Sequence, residues 1–206
     1  MGYPRLTITE CVVVVLCLGL AAIFLVPVIL NSRGEARSAT CQYHEMGLIM
    51  ATLELVDSTL PTQTLPIEPS QWPQQLAGKL TDPQIVYHCP SDERQPRHEA
   101  SYGMNNRADQ LSGEDGEKGV FLDYDALVAV VVGEGATADW QRYIAPRHFE
   151  FVNVAFHDGR VELRDPAVLD PAKCEQRIQF WLPSLCSQIP LGDCQFSRPP
   201  EGSTDP

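Results

Sequence analysis

The sequence predicts an α+β protein, in which a long N-terminal helix (a transmembrane half followed by an amphipathic half) packs on a small antiparallel β-sheet domain. Three observations predict it. Residues Cys11–Leu30 form a run of twenty residues with no charge and no amide. Beyond it, Ala39, Tyr43, Met46, Met50, Leu53 and Val56 recur every three or four residues, as one face of a helix does. Further on, β-branched runs alternate with turn signals, and Asp158-Gly159 sits between two alternating apolar stretches.

The first run sets the anchor. At about 1.5 Å per residue, twenty residues span about 30 Å, the thickness of a bilayer core. A cleaved signal carries a shorter apolar stretch behind a basic start. Here the run is longer and only Arg5 precedes it. Arg33 and Arg37 follow the run, so basic residues flank both ends and do not orient it. Thr7 and Glu10 have the spacing of a capping box, each side chain reaching the other's backbone N–H. An acid at the edge of an apolar span is costly unless paired, so Glu10 also suits pairing with the N-terminal amine of a neighbouring subunit. The amphipathic stripe continues the helix to about Asp57, with its apolar face expected on the sheet. Pro27 is expected to kink it near the bilayer edge.

After Leu60, five prolines within PTQTLPIEPSQWPQQLAGKLTDP indicate a connector with one short helix near Trp72–Leu80. Strands are expected at Ile85–Cys89, Ser101–Met104, Gly119–Tyr124 and Leu127–Gly133. An Asp-Gly pair is a strong type I′ signal. A two-residue loop at Asp158-Gly159 pairs His157 with Arg160, Phe156 with Val161 and Ala155 with Glu162. That register puts Val152, Val154, Phe156, Val161 and Leu163 on one face.

The chain carries 15 basic and 27 acidic residues, a formal charge of −12. Binding to nucleic acid needs clustered Lys and Arg, so that class is excluded. Oxygen ligands gathered at Asp115, Glu117, Asp123 and Asp125 make calcium the cation this chain suits, although EF-hand spacing is absent and a solvated acidic loop is the simpler reading. Cys11 and Cys17 lie in the apolar run. An exported domain tends to pair the other five, Cys41, Cys89, Cys174, Cys186 and Cys194. Cys41 with Cys89 is the first pairing expected, and two of the last three form the second. Zinc is the runner-up for these thiols, but no CxxC pair is present.

Residues 6–30 resemble the N-terminal signal of type IV pilins and type II secretion pseudopilins, where Leu6, Thr7 and Glu10 match. Arg33, Glu35, Ala36, Arg37, Cys41, Gly47 and Leu48 are similar to the segment that follows the helix in one bacterial prepilin-type family. That family is named for its C-terminal signature of His, nine residues and Asp-Gly. Cys89-Pro90-Ser91-Asp92 and Ser101-Tyr102-Gly103-Met104-Asn105 resemble two further elements of it, and His148 with Asp158-Gly159 resembles the signature itself. Arg5 departs from the pattern, because the prepilin peptidase cuts after Gly.

The expected organisation is a leader (1–5), a transmembrane helix (6–30), its amphipathic continuation (31–57), a Pro-rich connector (58–84), a β-rich periplasmic domain (85–172) and a Cys/Pro-rich tail (173–206). The resemblance implies a non-enzymatic pilin-like subunit of the inner membrane with a role in a type II secretion or type IV pilus-like assembly. Other pilin-like subunits would be its partners through the helix, with secreted cargo as a further one. Arg5 favours an alternative, a monomeric membrane-tethered periplasmic binding protein that keeps its leader. A third reading is a metal-dependent hydrolase using His148, His157 and Asp158. A fully extended strand from His148 would hold it roughly 30 Å from the turn, at about 3.3 Å per residue, too far to share a metal with Asp158. The signature therefore reads as two structural marks, one where a strand begins and one at a hairpin tip.

Overall fold

In the computed structural model the chain is described at residues 8–56, 64–94, 99–133 and 135–184. Helix α1 runs from Ile8 to Leu53 and contains Pro27. It is the one described helix long and apolar enough to cross a membrane, a test that a signal sequence would also pass. Every described residue from 8 to 33 is exposed, so this part of α1 projects free of the folded body.

The body is a five-stranded sheet: β1 (Tyr102–Asn105), β2 (Gly119–Asp123), β3 (Val128–Ala129), β4 (Val152–Phe156) and β5 (Val161–Arg164). Its order is β3-β1-β2-β4-β5. All neighbours are antiparallel except β1 and β3, which run parallel. The outer half of α1 covers one face, together with α2 (Trp72–Leu76) and α3 (Pro83–Val86). Leu48, Ile49, Trp72, Tyr102, Met104, Phe121 and Ala155 fill that layer. On the opposite face, Leu122, Val152, Val154 and Phe156 pack with Trp140 of α4 (Ala136–Tyr143), Leu169 of α5 (Pro166–Leu169) and Trp181. All five residues of β2 and of β4 are therefore buried.

Three expectations are corrected. Ile85–Cys89 does not form a strand, because Asp82 accepts a hydrogen bond from the Ile85 N–H and Pro83 opens a helical turn in its place. The Leu127–Gly133 run shrinks to the two residues of β3. The hairpin register shifts by one: Ala155 pairs with Val161 and Val154 with Glu162. The loop holds three residues, with Gly159 at φ +90° and its N–H bonded to Phe156 O. The N–H groups of His157 and Asp158 bond instead to Lys118 O and Gly116 O, ahead of β2, which holds the loop in this longer form. Val161 thus joins the layer under α1, and Phe156 faces the opposite one.

Candidate functional site

The outer half of α1 buries a mixed face, with Leu48, Ile49 and Ala51 in the core beside polar residues, rather than the purely apolar face expected. Its buried face carries Ser38, Cys41, His44, Glu45, Leu48, Ile49, Ala51 and Thr52. Of the stripe placed toward the core by the sequence pattern, Leu53 and Val56 pack there, but Tyr43 (76 % exposed), Met46 and Met50 face solvent. Ala36 and Ala39 are exposed on the same side. At about 100° per residue these five fall within a narrow stripe. It continues the apolar surface of residues 8–30 along one side of the helix, beyond the end of the apolar run.

Polar partners from distant parts of the chain explain why the other face is buried. Cys41 is disulfide-bonded to Cys89. This crosslink closes a loop with 48 residues of separation, which the chain-entropy model values at about 4 kcal/mol. His148 lies beside it, with Nε2 3.5 Å from Cys89 Sγ and 3.5 Å from Asp123 Oδ2. His44 Nδ1 donates to His88 O at 2.9 Å, and the Tyr102 hydroxyl donates to Cys41 O at 3.5 Å.

Arg147 is the hub of the charges beneath the helix. It reaches Asp92 at 3.2 Å and Asp123 at 3.5 Å, pairs with Asp125 and donates to Ser101 O. Arg94 also pairs with Asp92 and Asp125, and Ser101 Oγ donates to Asp92 at 2.8 Å. Burial raises the Asp92 carboxyl, but the hydrogen bonds from Arg94 and Ser101 and the Arg147 charge outweigh it, leaving Asp92 well below the usual carboxylate range. Asp123 is the opposite case. Burial pushes it up to about 7, against the pull of Arg147 and the Asn153 N–H. Burial pushes His148 down to about 4, assisted by the Arg147 charge, so its imidazole is neutral near pH 7.

Glu45 is the outlier. Its residue is fully buried, and neither carboxylate oxygen has a hydrogen-bond partner among the described residues. Burial, followed by repulsion from Asp123, holds its pKa well above the usual value. Four carboxyl groups (Glu45, Asp92, Asp123 and Asp125) thus share two guanidinium groups. Protonation of Glu45 or Asp123 relieves the excess.

The sequence elements behind the resemblance converge here: Cys41 from the helix, Cys89 and Asp92, Ser101 and Tyr102, and His148. Asn105 closes the same strand by donating to Gly119 O and Trp181 O. A Cβ on Gly103 would lie 2.8 Å from the Ala126 carbonyl oxygen, so glycine is required where these strands meet. Sequence reasoning missed Glu45 and Arg147. Arg147 could have been found as the basic neighbour of a signature histidine. Nothing in the local pattern marks Glu45.

Other candidate residues lie apart. His148 stands before β4, while His157 and Asp158 follow it, so the strand separates them. His157 is buried, and burial lowers its pKa. Asp158 pairs with Arg160 at 2.9 Å. Among the calcium candidates, Asp115 accepts from Ser112 and from the Ser184 N–H. Glu117 pairs with Arg160, and Asp123 and Asp125 both reach Arg147. The Sγ atoms of Cys41 and Cys89 and a His148 nitrogen lie within 4.8 Å of one another, but the disulfide removes the thiolates that a metal would need. Cys174 is also disulfide-bonded, to a partner outside the described residues. Arg5, Leu6, Thr7, Cys186 and Cys194 lie outside them as well, and Glu10 is in the first turn of α1.

A cleft of about 290 Å³ opens beside the cluster, lined by Arg37, Pro90, Ser91, Arg147, His148 and Phe149 among others. Comparison with protein-family models, with curated proteins and with solved structures finds no match for this chain.

Proposed function

We propose that this protein is a non-enzymatic, pilin-like subunit, anchored in the inner membrane by α1 with its folded body in the periplasm. It associates with other pilin-like subunits through the helix, in a type II secretion or type IV pilus-like assembly. The observation that carries this reading is the exposed stripe Ala36, Ala39, Tyr43, Met46 and Met50. A helix that served only as a tether would turn its apolar side to its own domain and its polar side to water. Here the domain packs on Leu48 and Ile49 and on polar residues that meet an ion cluster, and leaves a second strip of small and apolar residues exposed, continuous with the span. Small residues near the bilayer edge followed by larger apolar ones suit close packing against a second helix.

The test is photocrosslinking from Tyr43 and Met46 in native membranes. Adducts to pilin-like proteins are expected from these positions and not from Gln42. Absence of adducts, with the protein in the membrane fraction, would sink the reading.

Arg5 supports a second reading, a tethered monomer with an uncut leader. Intact mass separates the two: a chain beginning at Leu6 favours the assembly subunit, and one beginning at Met1 or Gly2 favours the tether.

A further inference from the structure

We propose that the turn His148–Phe151 is a second membrane contact, seating the folded body on the interfacial layer of the bilayer through Phe149 and Phe151. This rests on the reading of α1 as a membrane span.

Position is the first argument. Gly34 is the first residue of α1 that the body shields, since residues 8–33 are all exposed. The shield is Phe149, because a Cβ on Gly34 would lie 3.0 Å from Phe149 Cζ. Gly34 is four residues past Leu30, where the apolar run ends, or about 6 Å along the helix. The headgroup layer on each side of the hydrocarbon core is about 5–8 Å thick. The Phe149 ring is therefore at the level of the headgroups. Arg33 is exposed at this height, where a lipid phosphate would meet it.

Chemistry is the second. Phe149 is 58 % and Phe151 41 % exposed, and they are the exposed phenylalanines among the described residues outside α1. Aromatic rings of this kind belong at an interface that is part apolar and part wet. The backbone is the third. The N–H and C=O groups of His148 and Phe151 bond to each other, closing a two-residue turn. Phe149 has φ +54° and Glu150 φ +71°, the two non-glycine residues with positive φ among those described. Such conformations cost of order 1–2 kcal/mol per residue, and Asn-Gly would form the same turn without that cost. The strain holds a large apolar ring outward, a placement that folding in water does not favour.

The occupant is the bilayer rather than a neighbouring helix. At about 100° per residue, Gly34 lies on the side of α1 opposite Tyr43, so Phe149 is not part of the helix-packing stripe.

The test replaces Phe149 with Trp in the full chain, reconstituted in vesicles whose phospholipid acyl chains are brominated near the headgroup. The native Trp72, Trp140 and Trp181 are buried, so they form a constant background. The added emission of F149W is expected to fall about threefold or more relative to unbrominated vesicles, as for an interfacial ring. I85W, at another exposed site, is expected to remain unchanged. A second readout uses the wild-type chain. A phospholipid with a photoactivatable acyl chain is expected to label the tryptic peptide His148–Arg160. An unquenched F149W and an unlabelled peptide, in protein that resists carbonate extraction, would overturn the contact and leave the anchor intact. Crosslinking of this turn to another copy in place of lipid would overturn it also. Release by carbonate would overturn the anchor itself.

Discussion

The two sides of the outer half of α1 differ in a way that composition alone does not convey. One side carries the disulfide-bonded Cys41, an imidazole, a carboxyl group and a hydroxyl beside Leu48, Ile49 and Ala51, and it is buried. The other carries Tyr43 and two methionines, and it is open. Burial follows the partners available. Cys89, Asp123, Arg147 and His148 meet the polar residues of the first side and the sheet meets its Leu48 and Ile49, while Tyr43 and Met46 stay open. A helix built this way is held to its own domain by specific bonds as well as by apolar packing, and still keeps an exposed apolar strip.

The strongest way to break the polar side is at its hub. Arg147→Ala leaves Asp92, Asp123 and Asp125 without their shared counter-charge and is expected to cost about 3–5 kcal/mol, read as a lower urea midpoint. Cys89→Ala is expected to cost about 2–4 kcal/mol in the oxidised protein, and that difference should vanish when wild type and variant are compared under reducing conditions.

Glu45→Leu sharpens the comparison in the other direction. It removes a buried carboxyl with no hydrogen-bond partner among the described residues and is expected to stabilise the fold by about 1–3 kcal/mol at pH 8. The pH dependence carries the same information. Glu45 and Asp123 are raised in the folded state, Asp123 to about 7. From about pH 4 to about pH 7 the folded chain holds protons on these two groups that the unfolded chain has released, so their contribution to stability falls as pH rises, while the lowered His148 and His157 contribute in the opposite sense up to about pH 6.5. Asp92 is lowered, so its contribution is present above about pH 4 and is lost as pH falls further. Glu45→Leu should flatten the alkaline limb of the urea-midpoint profile, so that its advantage over wild type grows from about pH 4 to about pH 7. An alkaline limb of equal slope in the variant would remove Glu45 from the account. The smallest stability effect is expected on the apolar side. Tyr43→Lys with Met50→Lys should change the urea midpoint by less than about 0.5 kcal/mol while abolishing crosslinks to neighbouring subunits.

Much of the architecture was legible because it depends on local signals. The apolar run, the strands near 101–104 and 119–124, the short helix after Trp72 and the Cys41–Cys89 pair were all expected. What failed depended on partners far along the chain. Periodicity placed Leu53 and Val56 against the core, where they pack, but put Tyr43, Met46 and Met50 there too. Toward the bilayer end the side facing the sheet is set instead by Cys41 with its partner Cys89 and by the cluster around Asp123 and Arg147. The Asp-Gly turn was found, but its loop length was set by Gly116 O and Lys118 O, which no hairpin rule includes. Ile85–Cys89 was misread despite an Asp-Pro helix start immediately ahead of it. The signature histidine was identified, and its role as a neighbour of the disulfide was not.

The position of the Cys41–Cys89 bond has a mechanical consequence. The buried contact of α1 runs from Ser38 to Thr52, and the disulfide lies in its first turn, nearest the apolar run. A pull on the N-terminal end of α1 would peel this contact from that end. After Ser38, the load reaches a covalent bond before it reaches Glu45, Leu48 or Ile49. Force then passes through Cys89 into the chain leading to β1, so the rest of the helix stays seated while its N-terminal end is dragged. The body can be hauled by its helix without being stripped from it.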